Sequence, residues 1–133
     1  MANHPTAPVL GNQYLGDRVL QAWLDRALPP SMRSAIHDDL DALGAQAAQA
    51  WSEARSSRRH QPELTQFDAW GGRIDRIETT PVWQRGAAIA ARYGLVAAGD
   101  EPTYAEFARC DQFARVYLHH IASEFYTCPL AMT

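Results

Sequence analysis

His119 and His120 stand side by side in the stretch YLHHIASEF, and Glu124 follows four residues after His120. On a helix, a histidine and a glutamate at i, i+4 offer two metal ligands on one face. Adjacent histidines point about 100° apart, so His119 does not join that pair. A third ligand and an HExxH pattern are both missing, and no metal site is expected. Glu106, Asp111 and Glu124 fall on the same stretch, where a buried carboxylate would suit a general base. Capping and solvation account for Glu106 and Asp111 more simply. Arg55, Arg58 and Arg59 form a cationic group of the phosphate-binding kind, but at a helix C-terminus they are read as offsetting the helix dipole. Gly71-Gly72 lies between two short segments rather than between a strand and a helix, so it makes no phosphate cradle. Serine, histidine and aspartate show no convergent arrangement and no nucleophile elbow. Asp68, Arg73, Asp75 and Arg76 alternate in charge and are expected to pair across a hairpin, at about a few tenths of a kcal/mol each. No catalytic residue is assigned.

Composition narrows the class. A chain of 133 residues allows one domain with a real core. A net charge of −3 lacks the concentrated positive field that nucleic-acid binding needs. All twelve basic residues are arginine, which reads as coding bias because no single patch explains it. Cys110 and Cys128 fit no metal or redox spacing and read as reduced thiols. No apolar run approaches the roughly 20 residues that cross a bilayer, and the N-terminus lacks the basic and apolar regions of a secretory signal. A soluble, cytoplasmic protein without membrane contact is expected.

The elements that would position these residues follow from caps and periodicity. Residues 1–16 read as an extended arm. Asp17 caps a first helix with Leu20, Trp23, Leu24, Ala27 and Leu28 on one face, ended by Pro29-Pro30. Ser31 caps a second helix with Met32, Ile36, Leu40 and Leu43, ending at Gly44. A third carries Ala47, Trp51 and Ala54. ELTQF and RIDRIE flank Gly71-Gly72 as a β-hairpin over about 64–78 with a two-residue turn. Ile74 and Ile77, three apart, cannot share a face of a regular strand. Thr79 or Thr80 caps the next helix, with Pro81 in its first turn, Val82, Gly86, Ile89 and Tyr93 on one side and Gly94 at its end. Thr103 and Glu106 form a capping box opening the longest helix, to about Tyr126. Its apolar arc comprises Tyr104, Phe107, Cys110, Phe113, Ala114, Tyr117, Leu118, Ile121 and Phe125. An arc this wide needs contact on more than one side, more than this chain supplies.

The block PELTQFDAWGGRIDRIETTPVW resembles the hairpin region of the adaptive-response, AidB-like branch of the acyl-CoA dehydrogenases. The matching positions are Pro62, Leu64, Phe67-Asp68, Gly71, Arg73-Ile74-Asp75, Pro81 and Trp83. CPLAMT, from Cys128 to Thr133, resembles that branch's Cys-Pro-x-x-Met-Thr segment, and NQYLGDRVL is a fainter match to its arm. Thr80 and Gln84 stand where many relatives have histidine, so any function of those histidines is in doubt here. The resemblance implies a mainly α fold: the N-terminal helical domain, residues 17–133, of an acyl-CoA dehydrogenase, ending before a flavin-binding β-domain. It also implies FAD in the full-length oxidoreductase, an acyl-CoA substrate and a homotetramer. On this view the present segment shapes the acyl pocket and subunit contacts against the remainder of the polypeptide, and is inactive alone. Cys128, Pro129, Met132 and Thr133 are the residues it places nearest substrate or cofactor, and DNA contact would fall to other regions. Two alternatives stand beside it: a non-enzymatic assembly module of a DNA-alkylation-response flavoprotein, or a free-standing helical interaction domain.

Overall fold

Asp17 starts the first helix, α1 (Arg18–Ala27), by accepting the Leu20 amide on Oδ1 at 2.8 Å. Leu28, extended at ψ 143° as a residue before proline must be, ends it. The structure, a computed structural model, describes Thr6 and residues 8–57, 62–121 and 128.

Pro30 opens α2 (Pro30–Ser57) one residue before Ser31, so Ser31 sits inside the first turn rather than at the cap. The helix then runs 28 residues straight through Gly44. The two helices expected on either side of that glycine are therefore one. Buried Ile36, Leu40, Leu43, Ala47, Ala50 and Ala54 alternate by four and three, an unbroken stripe. Gly44 is a contact point instead of a stop: a Cβ there would lie 2.5 Å from the Tyr14 amide nitrogen and 2.4 Å from Asn12 Oδ1. The arm docks on this bare patch of helix, with Gln13 N–H donating to the Gly44 carbonyl at 3.2 Å. Asn12 holds the arm's turn by accepting the Tyr14 and Leu15 amides and donating to the Asp41 carbonyl. Tyr14 is left 2 % exposed.

β1 (Glu63–Phe67) and β2 (Arg73–Glu78) pair antiparallel over the expected bounds. Their connection differs from the expected two-residue turn. It is a five-residue loop, 68–72, held by Asp68 Oδ1, which accepts Trp70 N–H at 2.9 Å and Gly72 N–H at 2.7 Å. Within it only Gly71 needs positive φ, at 83°. The ladder carries one extra residue on β2: Thr65 faces Arg76 and Phe67 faces Arg73, with Asp75 at φ 43° between them. That bulge resets the alternation between Ile74 and Ile77. The charges pair along β2 instead of across the hairpin, Arg73 with Asp75 at 2.6 Å and Arg76 with Glu78 at 2.5 Å.

Thr80, not Thr79, caps α3 (Pro81–Arg92), accepting Trp83 N–H at 3.2 Å, and Gly94 ends it at φ 59°. The capping box at Thr103 does not form. Glu101 takes both the Thr103 amide and hydroxyl, short 3-10 turns lie on either side at Ala97–Asp100 and Ala105–Phe107, and α4 (Ala108–His120) starts four residues later than expected. The longest described helix is α2, and the expected end at Tyr126 lies outside the described residues.

The core joins Tyr14, Leu24, Leu28, Ile36, Leu40, Leu43, Ala90, Leu95, Ala114 and Leu118. Trp23, expected on the buried face of α1, is 41 % exposed. The apolar arc expected on one helix divides: Ala114 and Leu118 on α4 are buried, Tyr104, Phe107 and Cys110 pack at the margin, and Phe113 and Tyr117 on α4 stay open at 67 % and 52 %.

Candidate functional site

Four residues apart on α4, Asp111 and Arg115 share one helical face, and both are buried, Asp111 completely. Asp111 is thus not the solvated carboxylate its sequence context suggests. Arg115 Nε donates to both Asp111 oxygens at 2.9 and 3.0 Å. Its Nη1 donates to the Tyr93 carbonyl at the end of α3, and its Nη2 to Asp39 Oδ2 on α2 at 2.7 Å. One guanidinium therefore ties three helices together. Burial pushes the Asp111 carboxyl up, against the opposing pull of Arg115. Burial by itself would lower the Arg115 pKa, but the hydrogen bonds to Asp111 and Asp39 outweigh it and raise it.

An open cleft of about 410 Å³ lies over this cluster, and Asp39, Glu101, Tyr104, Arg92, Asp111 and Arg115 supply its polar lining. Three carboxylates face two arginines, and Arg115 has its donors spoken for. This cleft, with more carboxylates than arginines, is consequently a poor fit for an anionic dinucleotide, which wants free backbone amides and cations. The arrangement holds three helices in register.

Two histidines are used structurally. Tyr14 Oη contacts His37 Nδ1, fastening the arm to α2, and His37 Nε2 lies 3.6 Å from Asp25 Oδ1, beyond hydrogen-bonding range. The Tyr14 pKa is pushed up to about 12 by burial first and then by Asp25 and Asp41, so the hydroxyl keeps its proton. His119 is buried against Leu43, Ala47, Val82 and Ile89 with Nε2 unpartnered, and its pKa is lowered by burial first and by His120 second. His120 is exposed, as the angle between neighbours on a helix requires. Among the described residues no group of three His, Cys, Asp or Glu side chains is placed to hold a metal ion.

Of the residues tied by sequence to substrate or cofactor, Cys128 is exposed and carries a free thiol. Pro129, Met132 and Thr133 lie outside the described residues, as do Arg58, Arg59, Glu124 and Phe125. Glu106 is exposed. The Arg115 cluster was missed by sequence reasoning. The i, i+4 spacing of Asp111 and Arg115 was its one available signal, since Asp39 and the Tyr93 carbonyl come from distant chain.

The helices with their two-stranded antiparallel hairpin match the fold of an acyl-CoA dehydrogenase structure. Residues 3–133 match the family described as adaptive response protein AidB N-terminal domain, and the chain belongs to that family. It is 32 % identical over 130 residues to acyl-CoA dehydrogenase family member 11 of Caenorhabditis elegans, covering 96 % of this chain and 21 % of that protein. Two solved structures share the fold. One, described as Bd2924 apo-form, gives a TM-score of 0.90 at 31 % identity over 98 % of this chain and 26 % of its own. The other, Caenorhabditis elegans ACDH-11 in complex with C11-CoA, gives 0.87 at 30 % identity over 99 % of this chain and 23 % of its own. The chain spans about a quarter or less of each relative. No helix among the described residues is long and apolar enough to cross a membrane.

Proposed function

We propose that this chain is the front helical domain of a cytoplasmic, FAD-dependent acyl-CoA dehydrogenase-like oxidoreductase. In this reading residues 17–133 precede a flavin-binding β-domain, form one wall of the acyl pocket and contribute contacts between subunits of a homotetramer. The carrying observation is the open flank of α4, where Phe113 and Tyr117 are exposed one helical turn apart. A relative of known structure was solved with C11-CoA bound, which supports acyl-CoA as the ligand class. The acidic, arginine-saturated cleft does not suit FAD, so the cofactor is assigned to polypeptide beyond this chain, where it would supply the redox chemistry. Here the protein's own residues contribute position: α4 presents an apolar wall that excludes water. Cys128, Pro129, Met132 and Thr133 are assigned to the edge of that pocket.

The test is purification of the polypeptide encoded by the whole reading frame. Bound FAD and bleaching of its absorbance by an acyl-CoA thioester are expected, with neither seen for residues 1–133 alone. A colourless full-length protein that takes up no FAD would overturn the reading.

A further inference from the structure

Among the described residues, β2 pairs only with β1, so its outer edge is open. An unpaired edge is a template for a further strand, and only the charges and bulge along it decide which strand is accepted. β2 reads Arg73, Ile74, Asp75, Arg76, Ile77, Glu78. Laid antiparallel against a copy of itself about a two-fold axis between residues 75 and 76, Arg73 meets Glu78 of the second copy. Ile74 then meets Ile77, and Asp75 meets Arg76. Every charge finds its opposite and each isoleucine finds an isoleucine. Sliding the register by one residue either way sets Asp75 on Asp75 or Arg76 on Arg76, so a single register is selected.

We propose that the outer edge of β2 is a self-association surface, joining two copies of this chain across a two-fold axis into a four-stranded sheet. This gives the assembly part of the proposed function a location; it does not depend on flavin.

Three features of the hairpin favour a second copy as occupant. Leu64, Ile74 and Ile77 are 53 %, 45 % and 66 % exposed, so the apolar side chains beside the edge lack cover. Glu78 stands opposite Glu63 in the ladder, a like-charge pair that Arg73 of the second copy would relieve. The ion pairs along β2 are exposed, and exchanging them for pairs across the axis sacrifices little, because exposed pairs contribute about 0–1 kcal/mol. The bulge at Asp75 and the mixed charges reject strands of other sequence, while the charge order accepts its own. An isologous contact of this kind closes at two subunits and does not propagate.

Sedimentation velocity on the whole 133-residue chain tests this with two charge variants, Arg73→Glu with Arg76→Glu, and Asp75→Asn with Glu78→Arg. Asparagine is chosen at position 75 because it tolerates positive φ. The wild-type chain is expected to dimerise with rising concentration. Each variant should associate more weakly by over about tenfold, and an equimolar mixture of the two should restore the dimer. A wild-type chain that stays monomeric throughout would overturn the proposal. So would variants that associate as the wild type does, or a mixture that fails to restore pairing. Because no cofactor enters the measurement, a colourless parent protein would leave this result standing.

Discussion

The helical body and the hairpin solve the same problem by opposite means. In the body, segments distant in sequence hold one another: the arm seats on Gly44, and Arg115 binds α2, α3 and α4 at one point. The hairpin is held by its own neighbours, through the Asp68 loop and ion pairs two residues apart, and its apolar side chains stay open. A two-stranded unit of that kind is marginal alone. The contrast separates what stabilises this chain from what it presents to others.

The largest expected effect falls on the arginine clamp. Arg115→Ala would strand the Asp111 carboxylate in the interior, at a cost of about 3–5 kcal/mol in urea unfolding. Replacing both partners, Asp111→Leu with Arg115→Met, should recover most of that loss, because a well-packed apolar pair avoids desolvating two charges. A single variant within about 1 kcal/mol of wild type would mean that water reaches the cluster and that the body is looser than its packing implies.

Next comes Gly44→Ala. In an ordinary helix interior this change gains about 1 kcal/mol. Here the new Cβ meets the backbone of Tyr14, which cannot move without releasing the arm. A net loss of about 1–3 kcal/mol is expected, with tyrosine fluorescence reporting exposure of Tyr14. A stabilised variant would show that the arm is not seated on α2.

This position also marks where sequence reasoning stopped. Asp17 and Gly94 were legible, and Thr80 as one of two candidates, because a cap acts within a few residues of itself. The strand bounds were legible for the same reason. Gly44 resembles a helix end in sequence because glycine in a helix has two explanations, and the tertiary one depends on Asn12 and Tyr14, about thirty residues away. The box at Thr103 lost to Glu101, a competing acceptor two residues upstream. Asp111 looks solvated in sequence because burial belongs to the assembled helices rather than to α4 alone. The unbroken stripe from Ile36 to Ala54 was present in the sequence and would have argued for one helix.

The smallest effect gives the finest test of the contrast. Asp68→Ala removes the acceptor for the Trp70 and Gly72 amides, and with it about 1–2 kcal/mol of local stability. If the hairpin opens as a unit separate from the body, amide exchange in β1 and β2 should accelerate by about 5- to 30-fold, while the slowest amides of α2 keep their wild-type rates. Global unfolding midpoints should then be unchanged. Equal acceleration in α2 would mean that the two regions unfold together, and that the hairpin draws stability from the body after all. Independence is the outcome that suits an element built to find its partner outside the domain.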